Sequence, residues 1–457
     1  MKRWPIYDEE QISDVVDILR SSQVNAWTGD YVARFEDAYA RHLGRRHAVA
    51  LANGSVALDL ALKVLGIGAG DEVIVTSRSF IASAACVPFA GAKPVFADVD
   101  PVSGNLSAET IAARITPRTK AVIIVHLGGW PCDMEAIMAL AEKADLKVIE
   151  DCAQAHGARY GGRPVGSFGH IAAFSFCQDK IITTGGEGGL VAMDDEALWS
   201  TAWSLKDHGK SYDLSHRKDF PPGFRWLHES FGTNWRMMSI QAALGLRQLE
   251  HLEEWRAQRQ RNADIWTAAL KDLPAIAIPR LTREHTHAWY RFYCHVRPEE
   301  LTAGWTRDDL MLAVTAAGVP CFSGTCSEIY IEHAFSGSGL APAERLPVAK
   351  QLGETSLAFL VDPSWSAEET EAAAVTASTI ITNASRMGET RHRDLENSDY
   401  PLLLPMDAGT SGKVPMGFAP VTSAEDDGRD SSWTRRQGAP AAVSGRVGPD
   451  ADLAAPS

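Results

Sequence analysis

The sequence predicts an α/β fold: a mainly parallel seven-stranded sheet flanked by helices, followed by a smaller C-terminal α+β domain. Three observations carry that expectation. Between residues 47 and 195 short β-branched runs alternate with helical segments; a long helical pattern spans Met238 to Leu270; and residues 285–385 mix short strands with helices.

The strand candidates are Ala48–Leu51, Glu72–Val75, Pro94–Ala97, Ala121–Val125, Lys147–Glu150, Ala172–Phe176 and Gly189–Ala192. Between them, helix candidates near 55–65, 81–89, 107–115 and 133–144 place apolar residues three and four apart, the spacing of one helix face. The Met238–Leu270 pattern would carry the chain out of the first domain. Beyond it the candidates are a strand at Tyr290–Val296 and helices at Arg307–Ala317 and Ala367–Thr382. The expected organisation is a large domain over 1–250, a small one over 251–385, and a disordered tail over 386–457, where Pro, Gly, Ser, Ala and Asp dominate without periodicity.

A net charge of −14 and a pI near 5.5 argue against nucleic-acid or anionic-membrane partners, which need a basic face. No apolar run reads as a signal peptide or membrane span, so a cytoplasmic protein is expected. The seven cysteines are scattered without CxxC or CxxH spacing, which gives no disulfide framework and no metal site. Gly66-Ile67-Gly68-Ala69-Gly70 follows a helix instead of a strand, which argues against a dinucleotide loop.

Four segments, each where a strand meets a loop or helix, carry the candidate chemistry. Asn53-Gly54-Ser55 precedes a helix; its amides and the Ser55 hydroxyl suit an anion, and the same residues suit a plain cap. Asp151 ends a buried strand in Glu150-Asp151-Cys152-Ala153-Gln154-Ala155-His156. A carboxylate there needs a cation, such as a protonated ring nitrogen, or else caps the following helix. Gln154 and His156 could donate hydrogen bonds beside such a ring. In Phe174-Ser175-Phe176-Cys177-Gln178-Asp179-Lys180, alternation puts the two phenylalanines on one face and Ser175 on the other, and one lysine leads into a glycine-rich turn. A dry pocket would lower that lysine's pKa, as an imine-forming amine requires. Asn234 and Arg236 sit where a helix starts, suited to anion contact or to capping.

Together with Trp27-Thr28-Gly29, Phe35-Glu36, Leu205-Lys206-Asp207-His208-Gly209 and His287-Ala288-Trp289-Tyr290, these segments resemble, from about residue 5 to 385, the DegT/DnrJ/EryC1/StrS family of sugar aminotransferases. The resemblance implies the type I fold of pyridoxal-phosphate (PLP) enzymes and pyridoxal 5'-phosphate as cofactor. It assigns Lys180 to covalent cofactor attachment and proton transfer, Asp151 to the ring nitrogen, Gln154 to the ring hydroxyl side and Phe80 to stacking on the ring. Gly54, Ser55 and Ser175 would bind the phosphate, and Asn234 the phosphate of a neighbouring protomer, implying a homodimer. The implied reaction moves an amino group from an amino acid, glutamate in relatives, to a nucleotide-linked keto-sugar. Trp27, His208, Tyr290 and Cys326-Ser327-Glu328-Ile329-Tyr330 are candidates for choosing the sugar. Gly185-Gly186-Glu187-Gly188-Gly189 carries one glycine more than the commonest family form. Two alternatives remain on this scaffold: a sugar dehydratase, against which Lys180 argues because a histidine replaces it there, and a non-catalytic regulatory protein.

Overall fold

Strand-forming runs flanked by turn residues become, in the computed structural model, one broad sheet; the model describes residues 4–220 and 222–385. Its strands are β1 (His47–Leu51), β2 (Glu72–Thr76), β3 (Lys93–Ala97), β4 (Thr119–Val125), β5 (Lys147–Asp151), β6 (Ile171–Ser175) and β7 (Gly189–Met193). Their order is β1-β7-β6-β5-β4-β2-β3. All pairs from β6 to β3 are parallel, and β7 alone runs against both its neighbours. The seven expected strands are therefore all present, each within two residues of its expected limits.

Burial on both faces explains the composition, because residues on either side of this sheet meet helices. One face packs Val49, Leu51, Val73, Val75 and Ile149 under α1 (Gly54–Val64) and α2 (Ala82–Phe89). The other packs Phe174 and Phe176 against Phe35 and Tyr39. The 238–270 pattern divides into α3 (Ser239–Glu250) and α4 (Leu252–Leu270), with His251 between them. The Trp255 amide still donates to the His251 carbonyl (2.9 Å), so the two helices are nearly continuous.

Downstream, β8 (Ile276–Ala277), β9 (Phe292–Val296), β10 (Cys321–Phe322) and β11 (Ser356–Phe359) form an antiparallel sheet in the order β8-β9-β11-β10. The expected strand at Tyr290 starts two residues later. Helices Arg307–Ala316 and Ala367–Asn383 each begin with a reciprocal capping box, Thr306 with Asp309 and Ser366 with Glu369. Together with α4 they cover one core, centred on Trp266, which stacks on Phe359 at 4.1 Å. The described residues all fall in one compact unit, so a division near residue 250 remains a proposal that rests on the two sheets and their separate cores. The expected tail, 386–457, lies outside the described residues. No helix among the described residues is long and apolar enough to cross a membrane.

Trp266 is almost wholly buried, and its indole N–H donates to the Leu360 carbonyl at 3.2 Å. Trp266→Ala is expected to cost about 3–5 kcal/mol in urea unfolding. A loss under about 1 kcal/mol would show that the small sheet does not depend on this core.

Candidate active site

The parallel strands point their C-terminal ends to one edge, and the candidate residues gather there. Asp151 is the last residue of β5, and its backbone pairs with Ala173 of β6. Its buried carboxylate accepts from Ser83 Oγ (2.7 Å) and from the Ala153 amide (3.1 Å). No helix begins there, so capping is not its task; the Ala153 contact is a local turn. Burial pushes its pKa up, against the Ser83 and Ala153 hydrogen bonds and the pull of Lys180.

Ser175 ends β6 on the face opposite Phe174 and Phe176, as the alternation requires. It abuts the start of α1 so closely that a Cβ on Gly54 would sit 2.5 Å from Ser175 Cβ. Asn53 Oδ1 caps α1 by accepting the Val56 amide (3.0 Å). Asn53 is thus the cap, and the first-turn amides of Gly54 and Ser55 are among those that a helix leaves without an intrahelical partner. Phe80, four residues beyond the end of β2, is 64% exposed although aromatic.

Lys180 follows β6, its amide donating to the Cys177 carbonyl (3.0 Å) and its own carbonyl accepting from Trp4 Nε1 (2.8 Å). The amine is largely buried, 3.4 Å from Asp179 Oδ1 and 5.0 Å above the Tyr290 ring. Here the expected lowering of the lysine pKa is overturned. Burial lowers it, but Tyr290 and Asp179 outweigh burial and the net shift is upward. Tyr290 in turn donates its hydroxyl to Asp179 Oδ2. This Asp179–Tyr290 pair was not singled out beforehand, although Asp179 stands next to Lys180 in sequence. Ser83 was likewise missed in its role; it lies one helical turn beyond Phe80, the spacing that brings it back toward the same edge.

Gln154 is buried, with Oε1 accepting the Gly128 amide (2.8 Å). His156 is committed elsewhere. Its Nε2 donates to the Ser175 carbonyl (2.8 Å) and its Nδ1 accepts from the Tyr39 hydroxyl (2.6 Å). It braces the end of β6 from the far side of the sheet and is not free beside a ring. Asn234 is exposed and accepts from the Arg236 amide (3.3 Å). Its neighbour Trp235 accepts from the Ala52 amide (2.9 Å), which stitches this segment to the exit of β1. Arg236 pairs with buried Asp207 (2.6 Å), as do Trp27 Nε1 (2.8 Å) and Lys210 (3.1 Å).

The family model of the DegT/DnrJ/EryC1/StrS aminotransferases matches residues 5–377. The chain belongs to this family. Among DegT/DnrJ/EryC1/StrS relatives, a GDP-perosamine synthase of Caulobacter vibrioides is 40% identical over 317 residues, 69% of this chain and 81% of that protein. The dTDP-3-amino-3,4,6-trideoxy-alpha-D-glucose transaminase of Streptomyces venezuelae is 35% identical over 335 residues, 73% of this chain and 83% of that protein. A crystal structure of the aminotransferase from Psychrobacter cryohalolentis superposes with a TM-score of 0.82 at 50% identity, covering 84% of this chain and 99% of that one. The fold is accordingly that of the type I PLP-dependent aminotransferases. Three features of the DegT/DnrJ/EryC1/StrS site in this chain fit that cofactor: a buried carboxylate with no paired cation among the described residues, an exposed aromatic at the same edge, and a Gly54–Ser175 approach with no room for a side chain.

Burial holds the His156 imidazole neutral, down at about 3 against the ordinary value of 6.5. Between those values the unfolded chain binds the proton and the folded one does not. Its contribution to stability is therefore complete above pH 6.5 and is lost as pH falls toward 3. His156→Gln is expected to flatten this limb in urea titrations between about pH 7 and 4.5. An equally steep limb in the variant would remove His156 as its cause.

Proposed function

We propose that this aminotransferase uses pyridoxal 5'-phosphate to move an amino group from an amino acid, glutamate being the expected donor, onto a nucleotide-linked keto-sugar. The observation that carries the reading is Asp151, a desolvated carboxylate at the strand edge whose titration feels the largely buried amine of Lys180. Supporting the substrate class, the two curated relatives above are named for amino-sugar synthesis on GDP- and dTDP-linked sugars.

When bound, the cofactor supplies an aldehyde that takes up the amino group and a ring that delocalises charge from the reacting carbon. Asp151 would hold the ring nitrogen in its protonated form, and Ser83 and Ala153 keep its carboxylate aimed and fixed. Lys180 would attach the cofactor and, once released, carry the proton between the reacting carbons as general base and acid. Phe80 would stack on the ring, and Gln154 would lie on its hydroxyl side, held by Gly128. The amides of Gly54 and Ser55 and the hydroxyls of Ser55 and Ser175 would receive the phosphate at the positive end of α1.

The same reading includes a cytoplasmic homodimer in which Asn234 reaches the partner's phosphate. Exposed Phe224, Trp226 and Phe231 on the loop preceding Asn234 are an apolar surface of the kind that a second chain covers. The seven cysteines, all free, are compatible with a reducing compartment.

Incubation with glutamate should convert the cofactor's visible absorption to that of its amine form, and addition of the right nucleotide-linked keto-sugar should restore it. Failure of every amino donor to change the spectrum of cofactor-loaded protein would favour the regulatory alternative. Lys180→Ala is expected to abolish turnover and the absorption of the covalently attached cofactor; native turnover in that variant would remove the assignment. Asp151→Asn is expected to slow the proton transfer by roughly two to four orders of magnitude, the consequence of losing about 3–5 kcal/mol of buried charge pairing. An unchanged rate in stopped-flow measurements would reduce Asp151 to a turn residue.

A further inference from the structure

Arg78 follows β2, two residues before Phe80, and its side chain leaves the edge of the large sheet for the small one. It is 2% exposed. Nη1 donates to Ser327 Oγ (2.7 Å) and Nη2 to Ser356 Oγ (2.7 Å). Both hydroxyls pass their own protons to carbonyls of the helix Pro347–Thr355, Ser327 to Ala349 (2.5 Å) and Ser356 to Leu352 (2.6 Å). Neither acceptor is charged. Among the described residues the groups that act on the guanidinium electrostatically are Tyr293, Cys326 and a second cation, Arg307, with no carboxylate. Tyr293 offers only its ring, 5.7 Å away. A buried arginine is ordinarily paired with an anion, because a desolvated, uncompensated charge is costly.

The third nitrogen shows where the missing charge belongs. Nε is buried and has no hydrogen-bond partner among the described residues. It faces Gly104, where an added Cβ would lie 3.4 Å from it. Arg78 and Gly104 line one cavity of about 30 Å³, together with Trp130, His287, Tyr293 and His295. Burial keeps both histidines neutral, His287 at about 3 and His295 at about 4, so the wall adds no opposing charge. The space suits one water-sized or slightly larger sphere.

We propose that this interdomain cavity binds one small monovalent anion of halide size on Arg78 Nε. The anion neutralises the guanidinium that ties the two sheets together through Ser327 and Ser356. The site is separate from the phosphate-binding start of α1 and does not depend on the substrate assigned above.

The test is anomalous diffraction from crystals of cofactor-loaded, full-length protein grown with sodium bromide in place of chloride. A bromide peak within hydrogen-bond distance of Arg78 Nε is expected. In parallel, replacing gluconate with bromide at constant ionic strength should raise Tm saturably, by roughly 2–4 °C, and Arg78→Met should lose the rise. An empty cavity, with bromide only on the surface or at the start of α1, overturns the site. So does an equal rise in a folded Arg78→Met. Should that variant not fold, the diffraction peak decides alone.

Discussion

Asp151 and Glu150 are neighbours on one strand, both buried, and the structure treats them in opposite ways. Alternation along β5 sends them to opposite faces of the sheet. Glu150 accepts the amides of Gly166 (2.7 Å), Phe168 (2.8 Å) and Gly169 (2.6 Å) and lies 3.2 Å from His126 Nε2 and 3.8 Å from Arg45. Burial pushes its pKa up, but His126 and the amides more than offset this, and it stays a carboxylate. Among the described residues Asp151 has one hydroxyl and one amide and no paired cation, so burial prevails. The protein could have finished Asp151 as it finished Glu150. Leaving it under-compensated suits the role proposed for it, that of acceptor for a cationic ring.

That arrangement follows from where a parallel sheet can put a charge. The adjacent exits of β5 and β6 bring Asp151 and Ser175 to one edge, and the close approach of Gly54 to Ser175 brings the start of α1 to the same place. His156 serves this geometry from behind, holding the last carbonyl of β6 against Tyr39. Lys180 reaches the edge on a loop, where no ladder fixes its course; Trp4, Asp179 and Tyr290 take over that task. The upward shift of its pKa records the same fact, since the groups that position the amine also favour its charged form.

How much of this was legible in the sequence depended on how local each cause is. The strands could be read because burial on both faces demands continuous β-branched runs, and Ser175 could be separated from Phe174 and Phe176 because alternation is a property of the strand itself. Asp151 could be located at a strand end for the same reason. What could not be read were contacts made across the chain. His156 looked like a ring-side donor because its partners, Tyr39 and the Ser175 carbonyl, are 117 and 19 residues away. Lys180 was expected to be depressed because a dry pocket alone would do so; Tyr290, 110 residues further on, joined Asp179 in reversing the sign. The break at His251 was invisible because the helical periodicity continues through it.

The segment Ser77–Ser83 shows how distant contacts of this kind join the small sheet to the chemistry. Arg78 anchors it to Ser327 and Ser356, while the Ser79 amide donates to the Cys326 carbonyl (3.1 Å). Ser79 Oγ lies 2.9 Å from Ser83 Oγ, which donates to Asp151. Phe80 sits between these fixed points with its ring exposed. A shift of the small sheet would therefore pull on the backbone on one side of Phe80 and on the hydroxyl that satisfies Asp151 on the other. The contacts thus run in series from the Cys326 carbonyl through Ser79 and Ser83 to Asp151, so the hydroxyl that satisfies the buried carboxylate is itself held by the segment that Arg78 anchors.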